Sequence, residues 1–341
     1  MRIIELDPAD ENLVAGTLEV ERAAHAVDHP EGPPPHEGVF RRSLVHPSPD
    51  EETVRLIAVE DGRVAGTCNA EFPTRDNLHF AGATLQVHPD RRRRGIGSAL
   101  LERLVDLARG KGRTEITIAT LSTWQDGPAR SEAGRKFLEK HGFTLALTSV
   151  NSRCAVDALD PDRERALLAV AAEAAGDDYE IISWIGRTPA ELVDTMCRLD
   201  SMIISEVPLG ELDLEPEQID AELKEAKAVR NEAVGIVPVT TIARHRASGE
   251  AVANTVIGVF DDPDHRHGFQ WITIVDPGHR GHRLGLHVKL VNLRLLREQF
   301  PQIRRIWTDN ADINSHMLDI NTTMGFEPVD AALEYKITLD S

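Results

Sequence analysis

Two short basic segments share a layout suited to one task, the binding of a phosphorylated ligand. One is Val87-His88-Pro89-Asp90-Arg91-Arg92-Arg93-Arg94-Gly95-Ile96-Gly97-Ser98, and the other is Val275-Asp276-Pro277-Gly278-His279-Arg280-Gly281-His282-Arg283-Leu284-Gly285-Leu286. In each, an apolar run ends at Val-x-Pro, a tight basic loop follows, and a helix-length segment comes next. Such a loop can aim successive backbone N–H groups at one point beside a helix N-terminus, where the helix dipole also favours an anion. Gly95 and Gly97 let that backbone approach a diphosphate with no Cβ in the way. Arg92 and Arg280 each lie three residues past the loop proline, and Gly97 and Gly285 five residues further on. A charge-assisted contact from either arginine to a diphosphate is within reach. Downstream, Ser131 to Gly142-Phe143 and Asn314 to Gly325-Phe326 repeat offsets of 11 and 12. Matching distances on both sides of the loops indicate an internal duplication.

The elements that must position these loops follow one order twice. In the first copy a strand at 2–6 precedes a helical stretch at 12–26 and a Pro-rich loop at 29–36, which can neither continue a helix nor sit inside a sheet. Runs at 53–60 and 64–72 flank Asp61-Gly62 as a hairpin, and 79–87 is the strand that feeds the loop. Leu100, Leu101, Leu104, Val105 and Ala108 give the following helix a buried stripe. A strand at 114–120, a short helix at 133–141 and a strand at 145–150 complete the copy. The second copy has a helix at 163–175, a strand at 179–185 and a helix starting at Thr188-Pro189. An acidic segment at 211–234, with helical spacing at Leu223, Ala226 and Val229, comes next and could wall an acceptor pocket. Strands are expected at 237–245, 250–260, 269–275, 304–307 and 335–339, with helices at 284–298 and 313–323. Trp271 and Trp307 fall on central strands, and His265 and His267 on a polar hairpin tip.

A chain of 341 residues is comfortable as two domains. Apolar content of 41% supports a folded globular protein, and no apolar run reaches the length of a membrane span. The N-terminus lacks the layout of a signal peptide, so a cytoplasmic location is expected. Cys68, Cys154 and Cys197 form no disulfide or metal-ligand pattern, and no metal is expected. The net charge of −18 disfavours nucleic acid as a general partner and would draw a cationic substrate to an acidic cleft.

Arg92-Arg93-Arg94-Gly95-Ile96-Gly97 resembles the Gln/Arg-x-x-Gly-x-Gly/Ala pyrophosphate loop of the GNAT N-acetyltransferases, in the strand–loop–helix setting of that family. Ser131-x-x-Gly134-x-x-Phe137-Leu138-x-x-x-Gly142-Phe143 resembles the family's Asn-x-x-Ala-x-x-Phe-Tyr-x-x-x-Gly-Phe segment. Arg280-Gly281-His282-Arg283-Leu284-Gly285 and Asn314-x-x-Met317-x-x-Ile320-Asn321-x-x-x-Gly325-Phe326 are the second copy, looser because Arg283 replaces the first glycine. The resemblance implies an α/β fold of the mixed-sheet, α+β kind, with tandem GNAT-like acyl-CoA N-acyltransferase domains at 1–155 and 156–341, each a candidate acetyl-CoA site. It places the diphosphate on Arg92, Arg93, Arg94, Gly95, Ile96, Gly97 and Ser98, and on Arg280, Gly281, His282, Arg283, Leu284 and Gly285. The pantetheine arm would lie between two splayed parallel strands in each copy. Backbone N–H groups near Leu85 and Val87, or Thr273 and Val275, would polarise the thioester carbonyl. Asn310 and Asn314 would hydrogen-bond the arm or the substrate.

The implied chemistry is direct acetyl transfer to an amine, which must lose a proton to attack. Candidate bases are Asp309 and His279 beside the second loop and Glu71 and His79 beside the first. The tyrosine that often serves as acid in the family is Leu138 in one copy and Asn321 in the other. Asn321 or a water would substitute, or the thiolate would leave unaided, since a thiol pKa near about 8.5 makes that tolerable. His88, next to the first loop, suits anion binding or capping. The expected acceptor is a small, cationic amine, aminoglycoside-like, a polyamine or a natural product, with no nucleic-acid or membrane partner and a monomeric or homodimeric chain. The alternative is a catalytically silent acetyl-CoA-binding or scaffold protein in which one or both domains are structural, a reading motivated by the missing tyrosines and by Arg283.

Overall fold

The computed structural model describes residues 1–339. In chain order the elements are β1 (Arg2–Glu5), α1 (Glu11–Asp28), α2 (Glu37–Ser43), β2 (Glu51–Glu60), β3 (Arg63–Pro73), β4 (Phe80–Val87), α3 (Ile96–Gly110), β5 (Glu115–Ser122), α4 (Ala133–Lys140) and β6 (Thr144–Ala155). Then come α5 (Pro161–Ala175), β7 (Tyr179–Ile185), α6 (Val193–Asp200), α7 (Ile203–Glu206), α8 (Ala221–Val234), β8 (Ile236–His245), β9 (Ala251–Phe260), β10 (His267–Val275), α9 (Leu284–Gln299), β11 (Arg305–Ala311), α10 (Ser315–Thr323) and β12 (Glu327–Thr338). Two compact units result, and neither is contiguous in sequence. The first holds residues 1–149, 209–214 and 330–339, and the second 150–208 and 215–329.

In the first unit the strand order is β1-β2-β3-β4-β5-β12, antiparallel except for the parallel pair β4–β5. β12 reaches this sheet from the far end of the chain, with Tyr335 opposite Ile118 and Ile337 opposite Ile116. Helix α3 covers one face, burying Ile96, Leu100, Leu101, Leu104 and Ala108 against Phe72, Ala81 and Ile116. The second unit runs β6-β11-β10-β9-β8-β7, with β10–β11 parallel and β10–β9, β9–β8 and β8–β7 antiparallel. There α9 buries Leu286, Leu290, Leu293 and Leu296 on the equivalent face. Each parallel pair needs a crossover longer than a hairpin, and α3 and α9 supply it.

Several local expectations change. Within the acidic segment, only Ala221–Val234 is helical, and its buried residues are Leu223 and Val234 while Val229 is 48% exposed. The helix expected from Thr188-Pro189 starts at Val193, after a short 3-10 turn. The last strand is twelve residues long, starting at Glu327, and β5 pairs with it from Ala331 to Thr338. His265 is no solvated tip residue: it is 8% exposed and packs against Phe260 and Phe269. Trp307 is core, whereas Trp271 is 48% exposed at a bulge between Gln270 and Ile272.

Candidate functional site

The two parallel strand pairs open at the end that carries the loops. β4 and β5 pair from Phe80 opposite Glu115 to Ala83 opposite Ile118, then run on unpaired to Val87 and Ser122. β10 and β11 pair only from His267 opposite Arg305 to Phe269 opposite Trp307, and β10 continues to Val275. Backbone N–H and C=O groups lining such a gap have no strand partner, so an extended, amide-bearing ligand can bond to them as an added strand would. The gap edges contain Leu85 and Val87, and Thr273 and Val275. The second edge also carries the bulge, which leaves one residue outside the ladder; the β3–β4 register from Gly66–Val87 to Glu71–Gly82 has none.

Beyond each gap the loops take the same backbone path. Positive φ falls at Arg93 (63°) and Gly95 (83°) in the first, and at the equivalent Gly281 (89°) and Arg283 (53°) in the second. Neither α3 nor α9 has a side-chain cap. The first intrahelical bonds run from Ala99 N–H to Gly95 and from His287 N–H to Arg283, so the N–H groups of Ile96, Gly97 and Ser98, and of Leu284, Gly285 and Leu286, lie ahead of them. A Cβ on Gly95 or on Gly281 would point into open space, so a ligand can sit against the backbone there. Gly97 lies where a Cβ would meet Phe137 at 3.4 Å and Val87 at 3.7 Å; for Gly285 the neighbours are Ile320 at 3.4 Å and Val275 at 3.5 Å. The residues present therefore fit a diphosphate-bearing ligand in both units. Arg283 holds a left-handed conformation that costs an L-residue roughly 1 kcal/mol. Arg283→Gly should accordingly raise the second unit's stability by about that much, measured by urea denaturation; a destabilised variant would show that the side chain makes contacts worth more than the strain.

The loop arginines divide in role. Arg92 is held by Asp28 through two bonds (2.9 and 2.5 Å) and by the Val87 carbonyl (3.1 Å), so it braces the loop against α1. Arg91 pairs with Glu60 at 3.0 Å, while Arg93 and Arg94 are exposed. Arg280 pairs with Glu206 but keeps 55% of its side chain exposed. His88 caps the turn by accepting from Asp90 N–H, as Asp276 does from Gly278 N–H.

The other candidates spread out. His279 Nδ1 lies 3.0 Å from the Tyr179 hydroxyl in a ring cluster with His245, and His282 packs on the same tyrosine. Asn321, 2% exposed, donates to Asn310 Oδ1 at 2.6 Å, and Asn314 caps α10 through Met317 N–H. Asp309 keeps solvent access at its strand, and surrounding protein pushes its carboxyl above the ordinary value by desolvation. Glu71 accepts from Asn69 Nδ2 at 2.9 Å. His79 sits at the paired end of β4 and bonds the Asp213 carbonyl at 2.7 Å, away from the gap.

On the face opposite α3, a cavity of about 240 Å³ is lined by Thr17, Glu21, Arg55, Asn69, Thr84 and Gln86 among others. Burial pushes the Glu21 carboxyl up to about 7, against the weaker pull of Arg55. Asn69 Oδ1 and Gln86 Oε1 are buried without a hydrogen-bond partner. Two unpartnered acceptors beside the Glu21 carboxyl suit a ligand that brings donors, an amine above all. Sequence reasoning missed Glu21. Its signal was position: Val14, Thr17, Glu21 and Ala24 recur at helical spacing, so a carboxylate falls on the inward row of α1. The second unit has a larger cavity, about 540 Å³, between its sheet and α6 and α8. Among the described residues no cluster of His, Cys, Asp or Glu could hold a metal ion, and no helix is long and apolar enough to cross a membrane.

Gaps between parallel strands, each leading to an anion-ready loop and helix, define the class of the tandem acyltransferase folds. A tandem GNAT protein from the clavulanic acid biosynthesis pathway, solved without AcCoA, superposes with a TM-score of 0.83 at 25% identity, covering 100% of this chain and 99% of that one. A GCN5-related N-acetyltransferase from Sphaerobacter thermophilus shares the fold, with a TM-score of 0.65 at 14% identity, over 99% of this chain and 95% of that one. The acetyltransferase (GNAT) domain model matches residues 51–145. The mycothiol acetyltransferase of Geodermatophilus obscurus is 32% identical over 157 residues, 46% of this chain and 45% of that protein, so the chain spans about half the length of that curated relative. Residues 51–145 thus match a GNAT acetyltransferase domain, and the chain as a whole has the fold of a tandem GNAT protein.

Proposed function

We propose that the protein is an acetyl-CoA-dependent N-acetyltransferase that moves an acetyl group directly to the amine of a small, cationic acceptor. The observation that carries this reading is the repeated pair of strand gap and loop, with positive φ at the same two positions and uncapped helix N-termini beyond. The N–H groups of Ile96, Gly97 and Ser98 and of Leu284 and Gly285 would hold the diphosphate, with Arg93, Arg94 and Arg280 as the solvent-accessible cations nearest to it. Bound there, acetyl-CoA supplies an acetyl group activated as a thioester. The mycothiol acetyltransferase likeness also supports acetyl transfer.

The first unit's cavity accounts for the handling of the amine. Asn69 Oδ1 and Gln86 Oε1 would accept from the incoming nitrogen, and Glu71 fixes the Asn69 amide by taking its N–H. Glu21 would take the ammonium proton whose loss makes the amine nucleophilic; a carboxylate whose pKa lies near neutrality both holds and accepts a proton at working pH. Turnover should therefore rise with pH through about 7, and Glu21→Gln should lower kcat by roughly a hundredfold and flatten that rise. An unchanged pH profile in the variant would remove Glu21 from the chemistry.

Calorimetric titration with acetyl-CoA, followed by a thiol-release assay with spermidine and an aminoglycoside, tests the whole reading. Binding with thiol release is expected. Absence of binding at millimolar acetyl-CoA would overturn it, and binding with no release across a broad amine panel would establish the catalytically silent alternative. Arg280→Ala should weaken acetyl-CoA binding to the second unit by roughly 1.5–3 kcal/mol, the range for a hydrogen bond to a charged group. Gly97→Leu and Gly285→Leu, made separately, tell which unit carries turnover.

A further inference from the structure

The two cavities occupy equivalent places. Val87 and Val275 end the strands that feed the loops, and counting back from them aligns Asn69, Thr84 and Gln86 of the first unit with Val256, Ile272 and Ile274 of the second. Three polar positions in one unit are thus three aliphatic ones in the other. Trp184, Met196 and Trp271 enlarge the apolar wall of the second cavity to about 540 Å³. Its carboxylates are partly spoken for: Asp200 holds Lys224 at 2.6 Å, and Glu232 holds Arg187 at 2.6 Å.

Two polar atoms of this wall are buried without a partner, Trp184 Nε1 and Asn254 Oδ1. Asn254 is 1% exposed, and its Nδ2 lies 3.4 Å from Asp200 Oδ1. Because a carboxylate only accepts, the amide cannot be flipped, and its Oδ1 is left to face a ligand. Leaving a buried donor and a buried acceptor unmade costs about 1–3 kcal/mol each, so their presence in a mainly apolar wall, with Glu217, Lys227 and Asp261 also lining the cavity, asks for a molecule that satisfies both.

We infer that the second unit binds a ligand of a different class from the first: an uncharged molecule with a mainly apolar body and one amide-like group, whose N–H meets Asn254 Oδ1 and whose carbonyl accepts from Trp184 Nε1. Lys224 and Asp200 act through Asn254 as positioning residues. The inference concerns binding alone and stands apart from acetyl transfer.

The test uses the full chain and 3-phenylpropanamide as probe, with no acetyl-CoA present, followed by tryptophan fluorescence, since Trp184 and Trp271 line the cavity, and by calorimetry. The amide should bind and quench fluorescence, with spermidine unable to displace it. Asn254→Leu, which keeps the bulk and removes the acceptor, should weaken binding roughly tenfold, and Trp184→Phe by a similar factor. Ile204→Trp, which fills the cavity from α7 and leaves the Asn254 side chain unmutated, should abolish binding while the far-ultraviolet circular dichroism stays unchanged, so the test survives if the Asn254 variant misfolds. Displacement by spermidine, or full-strength binding in the folded Asn254 and Ile204 variants, would overturn the inference. Failure of acetyl-CoA to bind would leave this result untouched.

Discussion

Asp330→Ala should cost the first unit about 3–5 kcal/mol, the range for breaking a buried ion pair from one side. The Asp330 side chain is fully buried, 2.7 Å from Arg130 Nε and 3.3 Å from His29 Nε2. Arg130 is itself only 3% exposed and also holds Glu31 at 2.8 Å. Removing Asp330 leaves a guanidinium inside the protein with a single half-exposed carboxylate for company, and desolvation then outweighs what attraction remains. The pair need not be a large net stabiliser, since its formation also strips water from both charges. Arg130→Met combined with Asp330→Leu should therefore recover most of the loss, because it removes both charges and fills the space. Urea denaturation of the two single variants and the double measures this directly. A loss below about 1 kcal/mol in Asp330→Ala would mean that water screens the pair as it does at a surface. The same cluster anchors the loop at 29–36, whose Pro35 lines the Glu21 cavity, so amine affinity should fall with stability.

Lys289→Met should change the pH dependence of the second unit's stability strongly. Lys289 is 2% exposed on α9, donates to Gln270 Oε1 at 3.2 Å and lies 5.3 Å from the Phe326 ring centre. Burial pushes its ammonium down to about 7, from the 10.5 of a solvated lysine. The folded protein thus holds the neutral amine where the unfolded chain holds the cation. Folding must expel a proton at any pH between those values, so the stability tied to this group is whole above 10.5, declines as pH falls, and levels off below about 7. Relative to wild type, the methionine variant should lose roughly 3–4 kcal/mol of advantage between pH 7 and pH 10. The variant also leaves Gln270 Oε1 without its donor, but that penalty does not vary with pH and drops out of the difference. A gap between the two proteins that stays constant from pH 7 to pH 10 would show that Lys289 remains charged in the fold.

Much of this was legible in the chain. Loop spacing, the flanking Val-x-Pro, the amphipathic α3 and the repeated Gly-Phe offsets are local patterns, and local patterns follow from backbone sterics and burial of one helix face. They were enough to place both loops and the duplication, while the pairing of β4 with β5 and of β10 with β11 was expected only from the family resemblance. That Arg283 takes the left-handed conformation of its counterpart Gly95 came from the structure. What the tertiary structure decided is which side chains meet. Arg92 turning to Asp28, Glu21 and Asn69 sharing a cavity, Asn254 committed to Asp200, and β12 returning to β5 all join residues far apart in the chain. Such contacts depend on how whole faces pack, and no spacing rule carries that information. The chemistry of a buried group depends on its neighbours in space: Lys289 and Glu21 look like ordinary surface residues in the sequence, and only the packing around them displaces their protons.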